Sequence, residues 1–198
     1  MTLTPFENMI KSRNFVVLDT ETTGLAKPAE IVSIAICDPD GKVLLDSLVK
    51  PVLPIPAEAT AIHGISDQVV ASAPTWPTIQ PLVVDLITGK NVVVYNALYD
   101  RKMMHLSDEA AGLPRTDYRL LAAGWACAME WYAEHHGDWN DYHRSYRWQR
   151  LTTAMEQQHL LIQDAHHALG DVLMTLALIN HIVYHPDNPN NRANSDRA

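Results

Sequence analysis

Apolar positions along the chain fall first into short unbroken runs and later into stretches of helical spacing. Residues 14–19 (NFVVLD), 30–37 (EIVSIAIC) and 43–49 (VLLDSLV) have the pattern of buried strands, and 38–41 (DPDG) is a turn between the last two. Joined by short turns, the three predict an antiparallel meander. The proline-rich PVLPIP leads into AEATAIHGIS, a short helix with a Gly-marked turn. Residues from Asp67 onward and 75–88 are helical candidates, with Pro77 and Pro81 blurring the start of the second. Residues 91–95 (NVVVY) predict a fourth buried strand, and a helix over 98–111 ends at Gly112-Leu113-Pro114. A short strand around 117–120 precedes an alanine-rich helix to about Ala133, and the pattern breaks over 131–148. A short helix over 149–158 and a long apolar one over 165–184, capped by Asp164, complete the reading.

A meander followed by alternating helix and strand predicts an α/β domain with a mixed sheet, over residues 1–185. The polar tail 186–198 is expected to be disordered. A length of 198 residues suits one domain, and 47% hydrophobic with 19% charged residues excludes a disordered chain. No run approaches the ~18 apolar residues of a membrane span, and the first residues lack a signal-peptide core. A cytoplasmic protein with no membrane partner is expected. Cys37 and Cys127 form no CxxC pair and read as core residues of a reducing compartment. The net charge of −8 opposes nucleic-acid binding by phosphate neutralisation alone, so such a binder needs a basic patch or bound metal ions.

Candidate chemistry lies in carboxylates at strand ends, where open α/β sheets tend to place their sites. Asp19 and Glu21 stand two apart at the end of an apolar strand, so both point to one side. Without a cation between them they repel, and hard oxygen ligands suit Mg²⁺ or Mn²⁺. DxE alone is equally a polar turn. Asp100 follows the fourth strand by a few residues, where a first-turn helix Asp needs no further reason than the helix dipole. Asp171 sits beside the apolar stripe Leu169, Val172, Leu173, Leu176 and Ala177, and a carboxylate buried there needs a cation or a donor. His166, five residues earlier, is about 140° away around a helix. At the helix mouth it still faces the same cavity, whereas His167 reads as a surface histidine.

Together VVLDTETTGL (16–25), NALYD (96–100) and HHALGD (166–171), with AIHGIS (61–66) between the first two, resemble the DEDDh branch of the DnaQ-like exonucleases. The resemblance spans roughly residues 14 to 184 and implies an RNase H-like fold and 3′–5′ exonuclease activity. It implies that Asp19, Glu21, Asp100 and Asp171 hold two divalent cations, Mg²⁺ with Mn²⁺ able to substitute, and that Asp19 bridges them. His166 becomes the general base that prepares the attacking water, since an imidazole titrates near working pH. One ion generates the nucleophile, the other stabilises the departing 3′ oxygen, and the product is a nucleoside 5′-monophosphate. Two divalent ions also cancel the charge of four carboxylates, which answers the acidity objection. Similarity further places Thr22, Thr23 and Leu25 around the terminal nucleotide, Ile62 and His63 on the opposite wall, and Asn96 as a substrate contact. Plain core packing accounts equally for Leu25 and Ile62.

Two features depart from the family pattern. Tyr95 stands where a histidine is frequent, and residues 131–148 (WYAEHHGDWNDYHRSYRW) form an aromatic-rich insertion. Its aromatics, with Arg144 and Arg147, suit a stacking platform for bases at ~1–3 kcal/mol each. They also suit packing against helices or a second subunit, as in a homodimer, and the interleaved Glu134, Asp138 and Asp141 favour that side. The expected partner is a single-stranded nucleic acid with a free 3′ end. DNA is slightly favoured, an RNA-trimming exoribonuclease is the alternative, and a non-turning-over binding module is a third reading.

Overall fold

Residues 4–162 and 165–185 are described in the computed structural model of the chain. Strands β1 (Phe15–Thr22), β2 (Ile31–Cys37), β3 (Val43–Leu48), β4 (Asn91–Val94) and β5 (Gly124–Cys127) form one sheet in the order β3-β2-β1-β4-β5. The first three make the expected antiparallel meander, and β4 and β5 extend it parallel to β1. This is the mixed α/β sheet that the chain pattern predicts.

Helices cover both faces, which is why the strands read as unbroken apolar runs rather than alternating ones. Phe15, Val17, Ala35, Cys37, Val93 and Tyr95 face one core. Over it lie α1 (Pro5–Ser12), α6 (Ala128–His136), α7 (Leu151–Gln157) and α8 (Ala168–Tyr184). Val16, Leu18, Ile34, Ile36, Val92 and Val94 face the other, under α3 (Trp76–Ile87), α4 (Ala97–Ala110) and α5 (Tyr118–Leu121). A smaller cluster holds α2 (Ala57–His63) through Ala59 against Val32 and Ile65. Side-chain alternation along β1 therefore sends Asp19 and Glu21 toward the α8 layer and Thr20 toward the α4 layer. No described helix is long and apolar enough to cross a membrane.

Several elements differ from the expectations. α1 was not among them, although its capping box is written in the sequence: Glu7 N–H donates to the Thr4 hydroxyl, and Thr4 N–H donates to the Glu7 carboxylate. Residues 117–120 are a helical turn rather than a strand, because the Asp117 carboxylate accepts from the Arg119 and Leu120 N–H groups. The strand comes later, as β5, within the stretch read as helix. Gly124 opens it where a Cβ would lie 2.8 Å from Asn91 Oδ1. The helix expected from Asp67 is a series of turns. α8 begins at Ala168 after an N-cap at His167, not at residue 165. Asp164, its expected cap, and the tail 186–198 lie outside the described residues.

The stretch 131–148 divides in two. Trp131 and Tyr132 belong to α6 and are buried, whereas β6 (Trp139–Asn140) and β7 (Ser145–Tyr146) form a separate antiparallel hairpin.

Candidate active site

The site is built where β1 leaves the sheet. Asp19 lies opposite Ala35 and Glu21 opposite Ser33 on β2, and these small neighbours leave room over the carboxyls. The register shifts between Glu21 and Thr22, an irregularity of the kind that re-aims side chains beside functional sites. Asp171, in the first turn of α8, completes a cluster: one ligand oxygen from each of Asp19, Glu21 and Asp171 lies within 4.8 Å of the others. The Asp171 carboxylate accepts the backbone N–H of His166 and sits at a helix N-terminus, both of which favour its charge.

Asp100 enters from the other layer, in the first turn of α4. It is buried and accepts a bond from the Thr20 hydroxyl at 2.7 Å. Its charge acts on Asp19, but its oxygens fall outside the group of three. His166 is exposed, on the turn just before α8, with a left-handed φ of 65°. For a residue with a Cβ that conformation costs about 1–2 kcal/mol and is the kind of strain found at functional sites.

These carboxyls resist ionisation. Burial, then repulsion from Asp100, Asp171 and Glu21, pushes Asp19 well above the usual carboxylate range. Burial and the charges of Asp171 and Asp100 push Glu21 up to about 7. Burial pushes Asp100 up to about 7 against the pull of the Thr20 hydroxyl. Asp171 is raised by burial and restrained by the His166 N–H and the two neighbouring imidazoles. Close carboxylates in this condition fit a divalent cation with oxygen preference, which removes the repulsion and compensates the burial. The donor set offers no thiolate, so it fits hard cations rather than a structural zinc.

Around the carboxyls, Leu25 is 79% exposed and Ile62 63% exposed, so neither is core. Asn96 is exposed at the N-cap of α4, without a side-chain capping bond. Thr22 and Thr23 are buried, and their hydroxyls face inward. That of Thr23 accepts Glu30 N–H at 2.9 Å, and that of Thr22 bonds to Gly24 O and Tyr99 Oη. His63 is buried with both ring nitrogens engaged. Gly64, at φ 74°, turns the chain after α2 so that Ile65 N–H donates to His63 Nδ1 at 3.0 Å. The proton of the neutral ring is thereby left on Nε2, which meets Thr22 O at 3.2 Å. Burial lowers the pKa of this imidazole and keeps it neutral.

Three residues that the sequence reading did not single out hold this edge. Thr20 anchors Asp100, Tyr99 Oη donates to Gly24 O at 3.0 Å, and Lys102 Nζ donates to Leu25 O at 3.2 Å. Their signal in the sequence is modest: alternation places Thr20 on the α4 side, and Tyr99 and Lys102 stand one helical turn apart. A cavity of about 850 Å³ runs along α8, lined by His63, His167, Leu48, Met155, Val69 and Leu173 among others. None of the four carboxylates lines it, so the chemistry sits beside the cavity and not within it.

A family model described as Exonuclease, of the RNase T type, matches residues 16–179. An uncharacterized exonuclease of Escherichia phage 186 is 42% identical over 167 residues, which is 83% of this chain and 86% of the phage protein. A DNA polymerase III epsilon subunit of Rickettsia conorii is 35% identical over 112 residues, 54% of this chain and 48% of the subunit. Among solved structures, exonuclease X in complex with 5′ overhanging duplex DNA superposes with a TM-score of 0.59 at 25% identity, covering 84% of this chain and 91% of that one. The nuclease domain of 3′hExo, a DEDDh family member bound to rAMP, shares the fold at a TM-score of 0.66 and 15% identity, over 88% of this chain and 93% of that one. With its acidic cluster at the end of β1 and a family match over most of its length, the chain belongs to the DnaQ-like 3′–5′ exonucleases.

Proposed function

We propose that the protein removes nucleotides one at a time from the 3′ end of a single strand, with two divalent ions and with DNA as its favoured substrate. The observation that carries the metal reading is the approach of Asp19, Glu21 and Asp171 within 4.8 Å, with no described donor reaching the carboxyls of Asp19 or Glu21. Asp19, Glu21, Asp171 and Asp100 would hold the ions, Mg²⁺ by preference with Mn²⁺ substituting. When bound, the ions supply the positive charge that keeps the carboxylates ionised and stabilises the departing oxygen.

The chain's own residues do the rest. His166, exposed at the mouth of the site, takes a proton from the attacking water. The water oxygen bonds to the terminal phosphorus as the bond to the neighbouring 3′ oxygen breaks, releasing a nucleoside 5′-monophosphate. The exposed Leu25 and Ile62 flank the terminal base, Asn96 supplies a polar contact, and the backbone of Thr22 and Thr23 faces the 3′ hydroxyl. His63 acts through Thr22, by holding its carbonyl, instead of touching the nucleotide. DNA is favoured because a sequence relative whose name states its substrate, exodeoxyribonuclease 10 of Escherichia coli, is 37% identical over 91 residues, 44% of this chain and 39% of that protein. A cytoplasmic location is part of the same proposal.

The test is a ladder. End-labelled single- and double-stranded DNA and RNA are incubated with Mg²⁺, Mn²⁺ or EDTA, and the products resolved. Stepwise shortening of 5′-labelled single-stranded DNA with Mg²⁺ and none with EDTA supports the proposal. Preferential shortening of RNA makes the protein an exoribonuclease. Binding without any shortening makes it a non-catalytic module.

A further inference from the structure

We propose that the hairpin β6–β7 and its flanks, residues 138–150, form a nucleic-acid surface that holds the strand leading to the reactive 3′ end. The inference deepens the exonuclease reading and rests on it for the identity of the occupant.

Exposure is the first observation. Trp139 is 48%, Tyr142 89%, Tyr146 36% and Trp148 67% exposed, whereas Trp131 and Tyr132 of the preceding helix are 9% and 0% exposed. The aromatics of this stretch that serve packing are therefore already buried in α6. Those of the hairpin pair with one another, edge to face in Trp139–Tyr146 and in Tyr142–His143. Aromatic faces open to solvent stack on any base, so they suit a strand whose sequence changes as it is consumed.

Charge is the second. Arg144, Arg147 and Arg150 outnumber Asp138 and Asp141 in this segment, within a chain of net charge −8. Asp138 is committed to Arg147 at 3.5 Å, and among the described residues Arg144 and Arg150 make no ion pair. Arg144 stands at the hairpin turn with a φ of 50°. A mixture of arginine and exposed aromatic side chains matches a phosphate backbone with bases. Protein interfaces are also enriched in aromatic residues and arginine, so the choice of a nucleic-acid strand over a second copy of the chain rests on the unpaired Arg144 and Arg150 and on the tie of this segment to the sheet face of Asp19.

Position is the third. Val93 pairs with Val17 at the end of the β1–β4 register, and Tyr95, in the turn after β4, packs in the same core as Val17, on the sheet face to which Asp19 points. Tyr95 Oη donates to Gln149 O at 3.0 Å. This bond ties the trailing end of the hairpin to the turn that leaves β4 on the sheet face of Asp19, and Trp148 is the residue before the anchor. On this proposal a strand leaving the carboxylates continues over the aromatic surface.

The test compares the full chain with the variant Tyr142→Ser/Arg144→Asn/Trp148→Ser, which keeps the Trp139–Tyr146 pair. Two substrates are used, 5′-labelled dT12 and the dinucleotide pTpT. Expected is a rise of about 10- to 100-fold in KM for dT12, with a loss on pTpT at least tenfold smaller. An unchanged KM for dT12, or equal losses on both substrates, overturns the proposal. A change in oligomeric mass with the KM for dT12 retained also overturns it, in favour of a second copy. Fluorescence anisotropy of 5′-fluorescein-dT12 in Ca²⁺ separates this proposal from the exonuclease reading. Hairpin-dependent binding by a wild-type protein that never shortens dT12 sinks the exonuclease reading alone, and digestion with identical KM in both proteins sinks this one alone.

Discussion

Asp108, in α4, is 1% exposed and accepts bonds from Trp76 Nε1 at 2.8 Å and from Tyr118 Oη at 2.8 and 2.9 Å. Glu30, 4% exposed, accepts the N–H groups of Val52 and Leu53. The cluster at the end of β1 is furnished differently. No described donor reaches the carboxyls of Asp19 or Glu21, whose nearest charged company is acidic. A buried carboxylate supplied with donors is satisfied by the fold and needs nothing else. One supplied with other carboxylates is destabilised by the fold and has something to gain from a cation. The contrast separates satisfied acids from those proposed to hold the ions within one small domain, where exposure alone would rank Asp108 and Asp100 together.

Substitutions break the contrast most sharply. Asp19→Ala is expected to abolish metal-dependent mononucleotide release while leaving the melting temperature in EDTA unchanged or higher, because a repelling charge is gone. Retained activity in a folded Asp19→Ala protein would falsify the metal assignment. His166→Ala is expected to lower turnover by about 10²–10⁴-fold, with Mg²⁺ still raising the melting temperature. A normal rate in that variant means that another group is the base. Asp108→Ala should do the reverse of Asp19→Ala. It strands the indole N–H and phenol donors at a cost of about 2–4 kcal/mol, read by denaturant unfolding, and leaves the metal response in place.

Acidity sharpens the comparison further. Glu21 and Asp100 titrate at about 7 in the folded chain, above the ordinary range near 4 of an unfolded one. Between those values the metal-free native state holds more protons than the unfolded state, so its stability falls as pH rises from about 4 to about 7 and levels off above. The melting temperature in EDTA is therefore expected to be lower at about pH 8 than at about pH 5, and Mg²⁺ should raise it more at the higher pH. A metal-free protein that gains stability across this window would show that the cluster is not strained by its own charge. Thr20→Val is expected to give the smallest change, a loss of about 10- to 100-fold in metal affinity, because the donor that restrains Asp100 is removed.

The sequence made most of the sheet legible, since β1, β2 and β4 each carry an apolar run and β3 follows directly on the DPDG turn. It failed at β5, whose Gly-Trp-Ala-Cys carries little strand signal, and at 117–120, where a side-chain cap turns the chain into a helix. The motif residues Asp19, Glu21, Asp100, His166 and Asp171 could be named from their order and spacing. The inward turn of His63 could not, because it depends on two backbone groups, Ile65 N and Thr22 O, that meet the ring only in three dimensions. The aromatic stretch also read as one unit, and packing alone divided it into a buried helix end and an exposed hairpin.

By itself the sequence determined the candidate residues for the chemistry and four of the five strands of the sheet, because apolar period and motif spacing are local properties of the chain. Only the tertiary structure decided that three of the carboxyls share one space, Asp19 and Glu21 without a described donor, that Asp100 reaches the edge from the opposite layer, and that Asp108 is satisfied. Those outcomes depend on the alternation of β1 meeting two separate helical layers, and burial and repulsion act between side chains as distant along the chain as Asp19 and Asp171.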